Sequence, residues 1–173
     1  MEPKEEHGMK NHFQKFIRTF MIGGALTTAL HPLLAESTGD SLTIPHEVDV
    51  QLQEALSQLK STVTLESAFV GFVGSLSENL QRLQVVLKQD KAEVHLQELY
   101  QSGNLVSKMY AIIGLQLLNR NVAAQALLDD ARQYQAESIQ LMEGCVIYQA
   151  QVHDVRNQIA EGYFVEEFQA ALR

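Results

Sequence analysis

One cysteine, no tryptophan and no proline after Pro45 set the first limits on this chain. With Cys145 alone, no internal disulfide can form, so packing must hold the fold together. A solitary thiol is tolerated best in a core, and Cys145 is assigned to one. Basic residues are also scarce: thirteen Lys and Arg face 21 Asp and Glu, for a net charge of −8. They form no cluster, which makes nucleic acid and anionic membrane surfaces poor partners. Gly-rich phosphate loops, a nucleophile elbow and Zn-type Cys/His spacing are all missing, so no enzymatic activity, cofactor or metal is expected.

A further absence is local. From Met9 to Ala35 there is no acidic residue, while Lys10, Lys15 and Arg18 precede the uncharged run "TFMIGGALTTAL" and then "HPLLAES". A basic start, an apolar stretch and a small residue at the end match a secretory signal peptide over residues 9–35. Pro32 favours the extended segment a peptidase needs, and the cut falls between Ala35 and Glu36. Gly23, Gly24, His31 and Pro32 break the run too early for a spanning helix, which takes about 20 apolar residues. No stable membrane insertion is therefore expected after cleavage. Residues 1–8, with Glu2, Glu5 and Glu6 against Lys4, oppose a basic start and read as translated leader upstream of Met9. Lys4-Glu5-Glu6 has a purine-rich coding possibility resembling a bacterial ribosome-binding site. The location implied is periplasmic or secreted.

About 140 residues remain after the cut, enough for one domain. Their net charge is about −9. Residues 36–45 ("ESTGDSLTIP") read as a flexible mature N-terminus and residues 46–173 as a helical domain. Apolar residues there recur at steps of three and four, which predicts helices. Val48, Leu52, Ala55 and Leu59 stripe a first helix, from about Pro45 to Lys60. Leu65, Phe69, Phe72, Leu76, Leu80, Leu83 and Leu87 stripe a second segment, with a break near Gly74 and a capping box at Ser75–Glu78. Asp90–Glu93 starts a short helix ending before Gly103. Val106, Tyr110, Ile113 and Leu117, then Asn119-Arg120-Asn121, then Ala124, Leu127 and Leu128 describe an antiparallel helical hairpin. Leu141, Cys145, Tyr148, Val152, Val155 and Ile159 form a seam that outweighs the β-rich run "CVIY". Gly162 stops that helix, and Phe164, Phe168 and Leu172 dock the last. The expected fold class is all-α, a bundle of six or seven helices.

Candidate sites are few. His153 lies eight residues after Cys145 and off its line, so no Cys/His nucleophile pair is expected. Glu93, His95 and Glu98 in one segment, His46 to Asp49 in another and His153-Asp154 read as solvated faces, not metal ligands. Asp129-Asp130 and Glu166-Glu167 are adjacent and diverge on a helix. Tyrosine favours protein interfaces. Tyr110 and Tyr148 fall on core stripes, while Tyr100, Tyr134 and Tyr163 are candidate interface residues. Gly71, Phe72 and Gly74 in "AFVGFVGSL" are further candidates, as a groove wall for a partner helix. The expected function is that of an exported module binding an unknown, preferably basic, protein, one form being an immunity or inhibitor protein. A self-associating envelope component is the alternative, and a helical enzyme comes third.

Overall fold

The computed structural model describes residues 44–173. The leader, the signal segment, the Ala35–Glu36 junction and residues 36–43 of the mature N-terminus lie outside the described residues. The first helix starts at Ile44, inside the stretch expected to be flexible.

The chain is not all-α. Seven α-helices accompany a four-stranded mixed sheet among the described residues. In order they are α1 (Ile44–Ser61), β1 (Thr64–Val70), β2 (Ser75–Leu76), α2 (Glu78–Leu87), α3 (Ala92–Ser102), α4 (Leu105–Leu117) and α5 (Asn121–Asp130). A 3₁₀ turn (Ala131–Tyr134), β3 (Ser138–Gly144), β4 (Val146–Gln151), α6 (Val152–Ala160) and α7 (Tyr163–Ala171) complete the chain. The long helix expected over residues 138–161 is instead a β-hairpin followed by α6. The stretch "AFVGFVGSL", expected to be helical, is likewise a hairpin, β1–β2. Neither is a helical bundle element, because β-branched and aromatic side chains flank glycines that turn the chain.

The sheet order is β2-β1-β3-β4, with both hairpins antiparallel and the central pair parallel. Thr64 lies beside Gln140 and Leu65 beside Leu141, across a connection that contains four helices. Parallel neighbours need such a crossover. Of its helices, α2 and α4 pack against the strands, while α3 and α5 pack against α4. The central one, α4 ("LVSKMYAIIGLQL"), is apolar nearly all round, as a helix enclosed by neighbours should be. Met109, Tyr110, Ile112, Ile113 and Leu115 are fully buried, and α4 meets α1, α3, α5, α7, β1 and β3.

Polar bonds fix the helices to the strands. Ser77 caps α2, its Oγ accepting from Leu80 N at 3.1 Å and donating to Glu66 Oε2 at 2.5 Å. The cap is thus two residues later than the Ser75 box predicts. Asp90 does not cap α3, whose N-cap position is Lys91. Asn119, at φ 57°, closes the turn between α4 and α5. Asn104 caps α4 through Ser107 N, and its amide donates to Thr62 O at 2.7 Å, tying α4 to the entry of β1.

The bond most relevant to the sheet comes from Tyr110. Its buried hydroxyl accepts from Glu66 N of β1 at 2.9 Å. Tyr110→Phe keeps the ring and strands that N–H, so unfolding in urea should show a loss of about 1–3 kcal/mol. A loss too small to measure would mean that the bond does not tie α4 to the sheet.

Candidate functional site

Two hairpin ends lie side by side. Parallel pairing of β1 and β3 sends both chains toward the same end of the sheet, where Gly71 N donates to Gly144 O at 2.8 Å. In the first hairpin, Val70 pairs with Ser75 and Gly74 N donates to Gly71 O at 3.2 Å, closing a turn around Phe72 and Val73. Gly71 and Gly74 flank it at φ 77° and 66°, a region open to glycine and strained for other residues. Phe72 is consequently 96% exposed and Val73 84%.

In the second hairpin, Glu143 pairs with Val146 around a Gly144-Cys145 loop. Gly144 takes φ 57° at the first loop position, as a Gly-X hairpin loop requires. Cys145 is exposed at this turn, contrary to its assignment to a core seam. It is followed by Val146 and Ile147, both more than half exposed, and Phe69 adds a further exposed ring from β1. Phe69, Phe72, Val73, Val146 and Ile147 therefore surround the adjoining ends of two hairpins. Successive strand residues face opposite sides of a sheet, so Val146 and Ile147 carry this apolar end onto both faces. Single exposed apolar residues are ordinary, whereas several around two adjoining turns make a candidate contact surface.

A bulge positions the first hairpin. Between Glu66 and Val70 the β1 register slips against β3. The extra residues are held by side chains: Ala68 N donates to Glu167 Oε1 at 2.9 Å, and Ser67 Oγ donates to Phe69 O at 2.9 Å. Glu167 belongs to α7, so the terminal helix holds the base of the tip.

The electrostatics are one-sided. No Lys or Arg occurs between Lys60 and Arg82, or between Arg132 and Arg156, the two stretches that make the sheet. Carboxylates do occur there: Glu66 and Glu143 on the strands, with Glu167 beneath. Tyr148 donates to Glu143 Oε1 at 2.7 Å. Lost solvation, then that bond and the Glu143 charge, push Tyr148 up to about 12. Lost solvation followed by the charges of Glu167 and Glu143 raises Tyr163 as well. Glu167 is raised above its ordinary value, chiefly because it is partly buried, with Glu143 adding to the effect and the Ala68 bond opposing it. Its Oε2 is buried without a hydrogen-bond partner among the described residues.

The sequence-derived candidates are divided by this geometry. Gly71, Phe72 and Gly74 sit at the tip, in a turn and not on the wall of a helical groove. Tyr163 is 48% exposed and lies close enough to Glu143 and Glu167 to feel both charges. Tyr148, expected in the core, lies on β4 at 36% exposure. Tyr100, expected at the surface, is 4% exposed; its hydroxyl donates to Asp130 Oδ2 at 2.7 Å and Leu127 O at 3.2 Å. Tyr134 is half-buried beside the Lys108 ammonium, which also covers the Tyr100 ring. Cys145 and His153 are separated by β4, with His153 facing Asn157 on α6 at 3.2 Å. His95 approaches Glu98 within its own helix at 3.7 Å. Among the described residues no three His, Cys, Asp or Glu side chains converge as metal ligands.

Sequence reasoning missed Val73, Val146, Ile147 and Glu143. The available signal was two apolar runs interrupted by paired or loop-forming glycines, "FVGFVGS" and "EGCVIY", which reads as hairpins. Elsewhere, α1 and α2 border an open groove of 660 Å³ with Glu54, Gln58, Glu78 and Arg82 on its walls, where Arg82 is already paired with Glu78 at 2.7 Å.

No protein-family model, curated protein or solved structure matches this chain.

Glu167 supplies a pH test. A raised carboxyl binds its proton more tightly folded than unfolded, so stability falls as pH rises from the ordinary value of 4.5 through the folded value. Glu167→Gln keeps an acceptor for Ala68 N and cannot ionise. Urea unfolding across that range should show the variant gaining on the parent chain as pH rises. Parallel curves would contradict the assignment.

Proposed function

We propose that this chain is an exported protein-binding module whose partner, a basic protein, contacts the paired hairpin ends. The observation that carries this reading is the near-complete exposure of Phe72 and Val73 in a turn that two positive-φ glycines hold outward. A turn is normally built from polar residues. Placing Phe and Val at its centre forgoes the burial that each would gain in a core, about 1.5–3 kcal/mol per side chain. A partner that covers them recovers that energy. The exposed Phe69, Val146 and Ile147 extend the contact, and the sheet's carboxylates and lack of cations suit a basic partner. Export rests on the acid-free stretch from Met9 to Ala35, and an immunity or inhibitor protein is one form this module would take.

The test uses the chain produced with its own N-terminus and recovered from the periplasm. Affinity capture should yield a stoichiometric basic protein, and the recovered chain should begin at Glu36. Phe72→Ser combined with Val73→Ser should abolish capture while changing stability by no more than about 0.5 kcal/mol, as expected of exposed positions. Unchanged capture by the double variant would remove the tip from the interface. Recovery in the cytoplasm with residues 1–35 intact would remove export.

A further inference from the structure

We infer that the partner also docks as an added strand on the free edge of β4, through an extended uncharged segment with basic residues at both ends. The inference rests on the protein-binding reading above and specifies how such a partner engages. β4 is the terminal strand of the sheet. Its register with β3 is continuous from Val146 to Gln151, so no bulge turns the edge away.

The direction of its backbone groups follows from two observations. Glu143 and Val146 flank a two-residue loop, which makes them a hydrogen-bonded pair. At the far end Val152 N donates to Glu137 O at 2.8 Å. Even-numbered residues therefore turn their N–H and C=O groups toward β3. Ile147, Gln149 and Gln151 turn theirs outward, and among the described residues no strand meets them.

Edge strands are normally protected by charge, proline, bulges or cover. The sequence "VIYQAQ" has neither charge nor proline, and five of its six residues are exposed. The edge is thus open to strand addition, the binding mode in which backbone bonds supply affinity and alternate side chains supply specificity.

Charge selects the occupant. Glu143 stands at the tip end of β4, and Glu137 and Asp154 stand at the other; all three are exposed and without an ion pair among the described residues. A second copy in antiparallel register would set the Glu143 end of each strand against the Glu137–Asp154 end of the other. Like charges would then meet at both ends of the seam. A segment of about six uncharged residues bracketed by Lys or Arg places opposite charges there instead.

The probe is a capped synthetic peptide, Lys-Lys-Val-Thr-Val-Thr-Val-Lys-Lys, with a counterpart carrying Glu at the four Lys positions. Amide hydrogen exchange is followed in the full chain. Saturating Lys peptide should slow exchange at Ile147 and Gln149, and the Glu peptide should bind at least about tenfold more weakly. N-methylation of alternate peptide amides should abolish the slowing without altering the protein. Gln149→Pro, which removes only an outward N–H and is tolerated on an edge, should do the same at Ile147. No slowing at saturation, or equal binding of both peptides, would overturn the inference. So would slowing that appears with chain concentration alone, which would identify a second copy as the occupant. Capture that depends on Phe72 and Val73 but survives Gln149→Pro would retain the tip reading and remove this one.

Discussion

The parallel pairing of β1 with β3 is the constraint on which the rest depends. It joins Leu65 to Leu141 across the whole helical middle of the chain, a closure that must be offset by burial. Four helices are used for that purpose. Of these, α4 packs on both strands and is enclosed by the others, and Tyr110 fastens it to the backbone of β1. Because the strands are parallel, each continues into its own hairpin at the same end. Antiparallel pairing would have sent the two hairpins to opposite ends of the sheet, with no shared surface.

The tip is outside the core in composition as well as position. Leu65, Leu141 and Ile139 anchor the sheet inward, whereas Phe72 and Val73 stand almost wholly in solvent and Val146 and Ile147 are more than half exposed. The bulge in β1 marks the boundary. There the ladder gives way to side-chain bonds from Glu167 and Ser67, and beyond it the chain turns outward. Glu167 is a costly way to hold a backbone N–H, since a partly buried carboxylate loses solvation. Its use joins the last helix to the bulge, so a change at Glu167 reaches the base of the tip.

The helices were legible in the sequence where their stripes run long. Val106, Tyr110 and Ile113 are buried on α4; Gly103 follows the end of α3; Phe164 and Phe168 dock α7. The strands were hidden for physical reasons. β1 lacks two-residue alternation because the bulge buries Ser67 and Ala68 in succession. β4 lacks it because all of its residues but Ala150 are exposed, whichever face they point to. Without alternation, Leu141, Cys145, Tyr148 and Val152 align at helical steps by coincidence, which also drew Cys145 and Tyr148 into an imagined seam. Phe72, Gly71 and Gly74 were selected for being conspicuously apolar beside glycine; their role as a turn depends on positive φ angles that only the folded chain displays. Tyr100 lay near a helix end in sequence and was buried by the approach of α5, a long-range event that no local pattern records.

The central claim is that the two hairpin ends form one exposed surface, and Cys145 offers a direct measurement. A nitroxide attached to this single thiol should leave the fold intact and broaden the amide signals of Gly71, Phe72, Val73 and Gly74, which are remote in sequence and adjacent across the Gly71–Gly144 bond. Sharp signals at those four residues, with broadening confined to the neighbours of Cys145 in sequence, would contradict the paired tip. Failure of the thiol to react in the folded chain would contradict it equally.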